Sequence, residues 1–246
     1  MHIKDYLDST YLKTPEQSGL SEKETWNKVK ALTLEAIENG FYAVMIRPNW
    51  VKKVRKLLDE NKSTVVLGTV ISFHEGNADL INKLNEAKQA LEDGADELDF
   101  VINYNAFTSG NIQGVAEEVK ACNALVLEKG KIIKWIIEAA ALTDKQIAEI
   151  STLIRTVTQE NFAGKENQVF IKSSTGFYKT EEGKPNGATK HNIQIMLDHA
   201  GKLPVKAAGG VRNYQEAKEM LDLGVKRIGT SSALAIVQDG DSAEDY

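Results

Sequence analysis

Val169-Phe170-Ile171-Lys172-Ser173-Ser174-Thr175-Gly176 is an apolar run closed by a lysine, followed by three hydroxyl residues and a glycine. A short β-branched and aromatic run bounded by turn residues reads as a buried strand. Downstream, residues 190–199 have the spacing of an amphipathic helix, and Pro204-Val205-Lys206-Ala207-Ala208-Gly209-Gly210 repeats the pattern of strand, lysine and glycine turn. Two strands joined through a helix need a crossover connection, so they run parallel.

The same alternation extends through the chain in both directions. Strands are expected over residues 6–8, 43–46, 64–70, 97–102, 132–138, 168–172, 204–208 and 227–229. Helices are expected over 21–38, 51–60, 78–92, 115–128, 144–159, 190–199 and 214–221, with a last short helix from Ser231. Gly40, Gly94, Gly130, Gly201 and Gly224 follow helical stretches, where left-handed C-caps are expected. Eight strand–helix units in 246 residues match a single-domain α/β fold, the TIM (β/α)8 barrel, spanning residues 1–246 with a flexible polar tail at 239–246. An open doubly wound sheet would place a glycine-rich turn after the first strand, and Asp8-Ser9-Thr10-Tyr11 contains no glycine.

Composition narrows the function classes. Hydrophobic residues make up 42% and charged residues 26%, the balance of an ordinary globular domain. The net charge of −5 is spread along the chain without a basic stripe, so no nucleic-acid partner is expected. No apolar run approaches the roughly 20 residues that span a bilayer, and the N-terminus lacks the apolar core of a signal peptide, so no membrane partner is expected. One cysteine, Cys122, precludes a disulfide within the chain and suits a reducing cytoplasm. The four histidines show no ligand spacing, and neither a metal nor a cofactor is expected. A small molecule is the expected partner.

Barrel enzymes carry their chemistry at the C-terminal ends of the strands. Asp8, Arg47, Asp99, Glu138, Lys172 and Lys206 all fall there or close to it. Within strand four, Asp99 shares a face with Glu97, and such an embedded charge needs a partner. Glu138 and Lys134 are expected to pair within strand five. Lys172 and Lys206 close consecutive strands, so their ammonium groups should crowd one another and lower the pKa of one. A lysine that is neutral near pH 7 can attack a carbonyl and form a Schiff base. Two surface lysines, or two that only bind phosphate, are the alternative. Ala207-Ala208-Gly209-Gly210-Val211 and Gly229-Thr230-Ser231-Ser232-Ala233 follow strands seven and eight, the usual phosphate position of a barrel. Ser173-Ser174-Thr175-Gly176 adds hydroxyls at the same end. His74 and Cys122 read as structural, and Lys179, Lys184 and Lys190 as a solvated charge run.

These segments resemble the deoxyribose-phosphate aldolases, a family of class I aldolases. The matching stretches are Leu7-Asp8-Ser9-Thr10, Gly94-Ala95-Asp96-Glu97-Leu98-Asp99, Lys134-Trp135-Ile136-Ile137-Glu138, Phe170 to Gly176, Lys206-Ala207-Ala208-Gly209-Gly210-Val211 and Gly229-Thr230-Ser231-Ser232. The resemblance implies reversible cleavage of 2-deoxy-D-ribose 5-phosphate to D-glyceraldehyde 3-phosphate and acetaldehyde, in deoxyribonucleoside breakdown. It assigns the Schiff base to Lys172, the pKa-lowering neighbour to Lys206, and acid/base work through an ordered water to Asp99. Asp8 and Thr10 would support the site, and Gly176, Gly209, Gly210, Ser231 and Ser232 would hold the substrate phosphate. The C-terminal Tyr246 would serve proton transfer at the enamine carbon. The imine is the electron sink, so the cofactor expectation stays at none. Sugar phosphate and aldehyde are the implied partners, and a homodimer stays open. The chain departs from the family pattern at Met45, where members often carry cysteine. It departs again at Phe177, where some carry a phosphate-binding lysine, and in the length of the loop 177–187. Another Schiff-base aldolase, and a non-catalytic phosphosugar-binding barrel, are the competing readings.

Overall fold

The computed structural model describes residues 2–181 and 184–244, the last five of these by backbone alone. Eight parallel strands close into a barrel in chain order: β1 (Leu7–Thr10), β2 (Ala43–Ile46), β3 (Val66–Ile71), β4 (Glu97–Val101), β5 (Ile132–Ile136), β6 (Val169–Lys172), β7 (Val205–Ala208) and β8 (Arg227–Thr230). The register sets Lys172 beside Lys206 and Asp99 beside Lys134.

The helices are α1 (Pro15–Ser18), α2 (Glu22–Asn39), α3 (Val51–Glu60), α4 (Leu80–Glu92), α5 (Tyr104–Thr108), α6 (Ile112–Glu128), α7 (Asp144–Asn161), α8 (Lys190–Ala200), α9 (Tyr214–Leu223) and α10 (Ala233–Glu244). Side-chain caps fix where several begin. The Ser21 hydroxyl accepts from the Glu24 amide while the Glu24 carboxylate accepts from the Ser21 amide, and Thr143 with Gln146 and Thr189 with Asn192 repeat this box. α1 and α5, each five residues or fewer, are too short to show a helical period in sequence. α10 carries helical backbone to Glu244, through most of the stretch expected to be a polar tail. No helix among the described residues is long and apolar enough to cross a membrane.

Apolar burial and charge burial are separated by strand parity. Leu98, Phe100, Ile133, Trp135, Ile171, Val205 and Ile228 belong to the large apolar cluster shared with the helices. Alternate residues on the same strands point into the lumen, and many are charged. Arg227 on β8 reaches Glu97 on β4, four strands away, so that contact crosses the barrel interior.

Two expected boundaries fail for one reason. Strand five was expected to run to residue 138, but β5 stops at Ile136, and Glu138 adopts a left-handed backbone of φ 53° and ψ 63°. Strand one was expected at 6–8, but a 3-10 turn over Ile3–Tyr6 moves it to Leu7–Thr10. In both places the apolar pattern continues while the backbone leaves the extended region.

Candidate active site

Asp99 lies at the centre of the lumen and is fully buried. Its Oδ1 accepts from Lys134 Nζ at 2.8 Å, and its Oδ2 accepts from both Lys172 and Lys206 Nζ at 2.9 Å each. Below it, Lys206 also contacts Asp8 at 2.5 Å, Arg227 contacts Asp8 at 2.6 Å, and Lys134 contacts Glu97 at 2.5 Å. Arg227 forks onto Glu97 with bonds of 3.1 and 2.8 Å, the bidentate geometry a guanidinium favours. Gly229 leaves the room for this, since a Cβ there would sit 3.1 Å from Lys206 Cε.

This network has a charge surplus. Among the described residues, Lys134, Lys172, Lys206 and Arg227 face Asp8, Glu97 and Asp99. One neutral lysine balances the interior. Burial would raise the Asp99 carboxyl, but Lys134, Lys172 and Lys206 outweigh it and hold the group well below the ordinary carboxylate range. Asp8, opposed by burial but facing Arg227, Lys206 and Lys134, sits at about 2. Burial disfavours the charged Lys134, yet Asp99, Glu97 and Asp8 reverse this and push its pKa up.

Lys172 goes the other way. Burial is the main cause; Asp99 opposes it, and the Lys206 and Lys134 ammonium groups reinforce it. The amine comes down from 10.5 to about 8. Crowding by a second lysine, the cause expected from sequence, is real but ranks behind burial. Access separates the two lysines: Lys172 is 4% exposed and Lys206 is 0%. Lys172 thus combines some residual exposure with a lowered pKa, which is what a Schiff-base nucleophile requires.

The expected pairing of Glu138 with Lys134 does not occur, because Lys134 points down to Glu97 and Asp99. Glu138 instead accepts from the Thr175 amide at 3.4 and 3.3 Å and from the Thr175 hydroxyl. Burial raises its carboxyl to about 7, against the pull of the Thr175 bonds and of Lys172. The hydroxyls of 173–176 organise the loop. Ser173 Oγ donates to the Ala208 carbonyl and accepts from the Ala208 amide, tying β6 to β7. Asp8 has both carboxylate oxygens engaged by cations and is fully buried, so it belongs to the support of Lys206. Thr10 donates its hydroxyl to the Asp8 carbonyl.

The expected phosphate residues converge. Gly176, Gly209 and Gly210 all have left-handed backbones with φ near 80°. Gly187, unnoticed in the sequence, packs so closely that a Cβ on it would lie 2.3 Å from the Gly209 carbonyl oxygen. The Ala188 amide then bonds to the Ala208 and Gly209 carbonyls, seating residues 187–188 on the end of β7. Ser231 is exposed and Ser232 half-buried, immediately before the first turn of α10. The Ser232 amide donates to Thr230 Oγ1, which in turn donates to the Val211 carbonyl. A ring of glycine backbone beside a helix N-terminus is a setting suited to an anion.

At Phe177, directly after Gly176, the mouth turns apolar. Phe177 stacks on His74 with centroids 5.6 Å apart and meets Phe73 edge-on at 5.1 Å, above Leu12, Met45 and Val70. Arg47 lies over the Phe73 ring at 4.7 Å and donates to the Leu12 carbonyl. Cys122 is buried, and burial raises its thiol, in line with a structural role. Tyr246 lies outside the described residues.

Residues 10–239 match the model of the DeoC/LacD family aldolases. The deoxyribose-phosphate aldolase of Caldicellulosiruptor saccharolyticus is 37% identical over 96% of this chain and 97% of its own length. That of Thermococcus gammatolerans is 37% identical over 99% of both. The solved deoxyribose phosphate aldolase of Aeropyrum pernix, whose tetrameric structure is described as unique, superposes with a TM-score of 0.79 at 29% identity, over 98% of this chain and 92% of that one.

Proposed function

This chain belongs to the DeoC/LacD family of aldolases, and from that premise we propose how its residues divide the cleavage of 2-deoxyribose 5-phosphate into glyceraldehyde 3-phosphate and acetaldehyde. The observation that carries the reading is Lys172, a nearly buried amine at the end of β6 with a pKa of about 8.

Neutral Lys172 attacks the C1 aldehyde, and loss of water leaves an iminium. A base takes the C3 hydroxyl proton, the C2–C3 bond breaks, and its electrons flow into the iminium to give a neutral enamine. Protonation at C2 and hydrolysis then release acetaldehyde and restore the amine. Asp99 receives the C3 proton by way of a water. While all three lysines are charged, Asp99 is a weak base; its basicity rises in this step, because the iminium charge facing it disappears as the enamine forms. Lys206 keeps the shared oxygen of Asp99 in place and adds the positive charge that disfavours protonation of Lys172. Asp8 and Thr10 support Lys206 from below. Gly176, Gly209, Gly210, Ser231 and Ser232 hold the phosphate, and Tyr246 serves proton transfer at C2.

The same reading treats residues 1–246 as one barrel domain. It gives the chain a cytoplasmic place, supported by the free buried Cys122, and a homodimeric assembly, supported by the oligomer of the Aeropyrum relative and readable by light scattering. The direct test is turnover of 2-deoxyribose 5-phosphate by Lys172→Met. We expect a loss of at least about a thousandfold in kcat with substrate binding retained. Retained turnover would remove Lys172 from the chemistry, and retained binding with no turnover by the wild type would favour a phosphosugar-binding protein.

A further inference from the structure

We propose that Glu138 is a positioning residue that clamps Gly176, and with it the phosphate end of the substrate. The inference rests on the aldolase reading above.

Three observations place Glu138 in this role. Its left-handed backbone, at φ 53° and ψ 63°, is one that a residue with a Cβ adopts at a cost, and such positions persist only where the surroundings hold them. The bend is laced to the chain beyond Lys172: the Ile137 amide donates to the Lys172 carbonyl at 3.0 Å, and the Ala139 amide to the Ser173 carbonyl at 2.8 Å. The carboxyl, 1% exposed, takes both donors of Thr175.

From Thr175 the chain of bonds continues across Gly176. With its proton given to Glu138, Thr175 Oγ1 accepts from the Phe177 amide at 3.0 Å. Gly176 is therefore held from both sides by bonds that end on one carboxylate. Its left-handed φ of 79° is fixed within that hold.

Protonation alters the clamp. An ionised carboxylate accepts from both Thr175 donors, whereas a protonated one turns one oxygen into a donor and weakens the grip. The charged and titratable groups facing Glu138 are Lys172 from β6 and Tyr104 from α5, the latter itself raised by burial first and then by Glu138. The carboxyl titrates at about 7 in this setting, so the clamp tightens across neutral pH.

The experiment compares wild type, Glu138→Gln, Thr175→Val and Thr175→Ser on 2-deoxyribose 5-phosphate between about pH 6 and pH 8. Trapping of acetaldehyde on Lys172 by borohydride, run at about pH 9, reads the nucleophile without a phosphate. Glu138→Gln should raise KM about tenfold, change kcat by less than about threefold, flatten the pH dependence of KM, and leave trapping within about twofold. Thr175→Val should do the same, and Thr175→Ser should restore KM. An unchanged KM and pH profile in Glu138→Gln overturns the proposal, as does a loss of trapping in parallel with turnover. Should Glu138→Gln fail to fold, the Thr175 pair decides by the same readouts. A wild type that neither turns over nor traps acetaldehyde overturns the aldolase reading itself, and this inference with it.

Discussion

Lys172 and Lys206 donate to the same Asp99 oxygen, yet only Lys172 is placed to be a nucleophile. The difference lies one step down the barrel. Lys206 has a second carboxylate, Asp8, at ion-pair distance, while Lys172 shares Asp99 and, among the described residues, has no further ion pair, lying at the edge of solvent. Lysine at about pH 7 is then roughly one-tenth neutral at position 172, against well under one part in a thousand for a free side chain. The rate of acetaldehyde trapping should therefore rise about tenfold from pH 6 to 7 and level off above roughly pH 8 to 9. Lys206→Met removes a charge that lowers the Lys172 pKa, so the midpoint of that curve should move upward. A midpoint that stays or falls contradicts the electrostatic role given to Lys206. Glu138 gives a second pH signature, in stability. Its folded pKa, about 7, lies above the ordinary 4.5, so the folded chain binds that proton more tightly than the unfolded one. The associated stability is fully present below about pH 4.5 and is lost as pH rises through about 7. Glu138→Gln lacks this loss. Its stability relative to wild type should grow by on the order of 2 kcal/mol between about pH 5 and 8, as read by denaturant melts at the two pH values.

At the scale of elements, the alternation of apolar runs and amphipathic stretches was enough to find all eight strands and the helices longer than five residues. Local periodicity carries that information, and caps such as Ser21 and Thr143 refine it. Lys172, Lys206 and Asp99 were legible because each breaks an apolar strand pattern at a place where a barrel puts its chemistry. What the pattern could not show depends on contacts between distant residues. The bend at Glu138 is set by Thr175, 37 positions on, and the partner of Arg227 is Glu97, 130 positions back. Arg227 did leave a trace, as a charge opening an otherwise apolar strand. Gly187 left none, because a glycine in a long loop looks like any other until the Gly209 carbonyl is found against it. Gly187→Ala should push the chain at 187–188 off β7, since its Cβ would meet backbone rather than a movable side chain. We expect KM for 2-deoxyribose 5-phosphate to rise at least about fivefold, with borohydride trapping of acetaldehyde unchanged. Equal losses in both would place Gly187 in general folding instead of the phosphate cup.

For the whole molecule, the barrel divides its burial between an apolar shell under the helices and an ionic lumen. Ionic interiors are not a cheap source of stability, because desolvation offsets most of the attraction. Breaking one member is a different matter. Arg227→Met leaves Glu97 and Asp8 each with a single cation, and should destabilise the fold by about 3–5 kcal/mol in chemical denaturation. A cost under about 1 kcal/mol would mean that the lumen is wetter than its burial implies. The surplus of one cation in this lumen ties fold to function: the interior holds four basic side chains against three carboxylates most easily when one lysine sheds its proton, and the position of that lysine at the mouth puts the neutral amine where a carbonyl can reach it. The measurement that tests this most directly is incubation of the protein with acetaldehyde and borohydride, followed by peptide mass mapping. The predicted result is one stable adduct, on the peptide that carries Lys172, absent from Lys172→Met. An adduct on Lys206 or Lys134 in its place, or none at all, would contradict it.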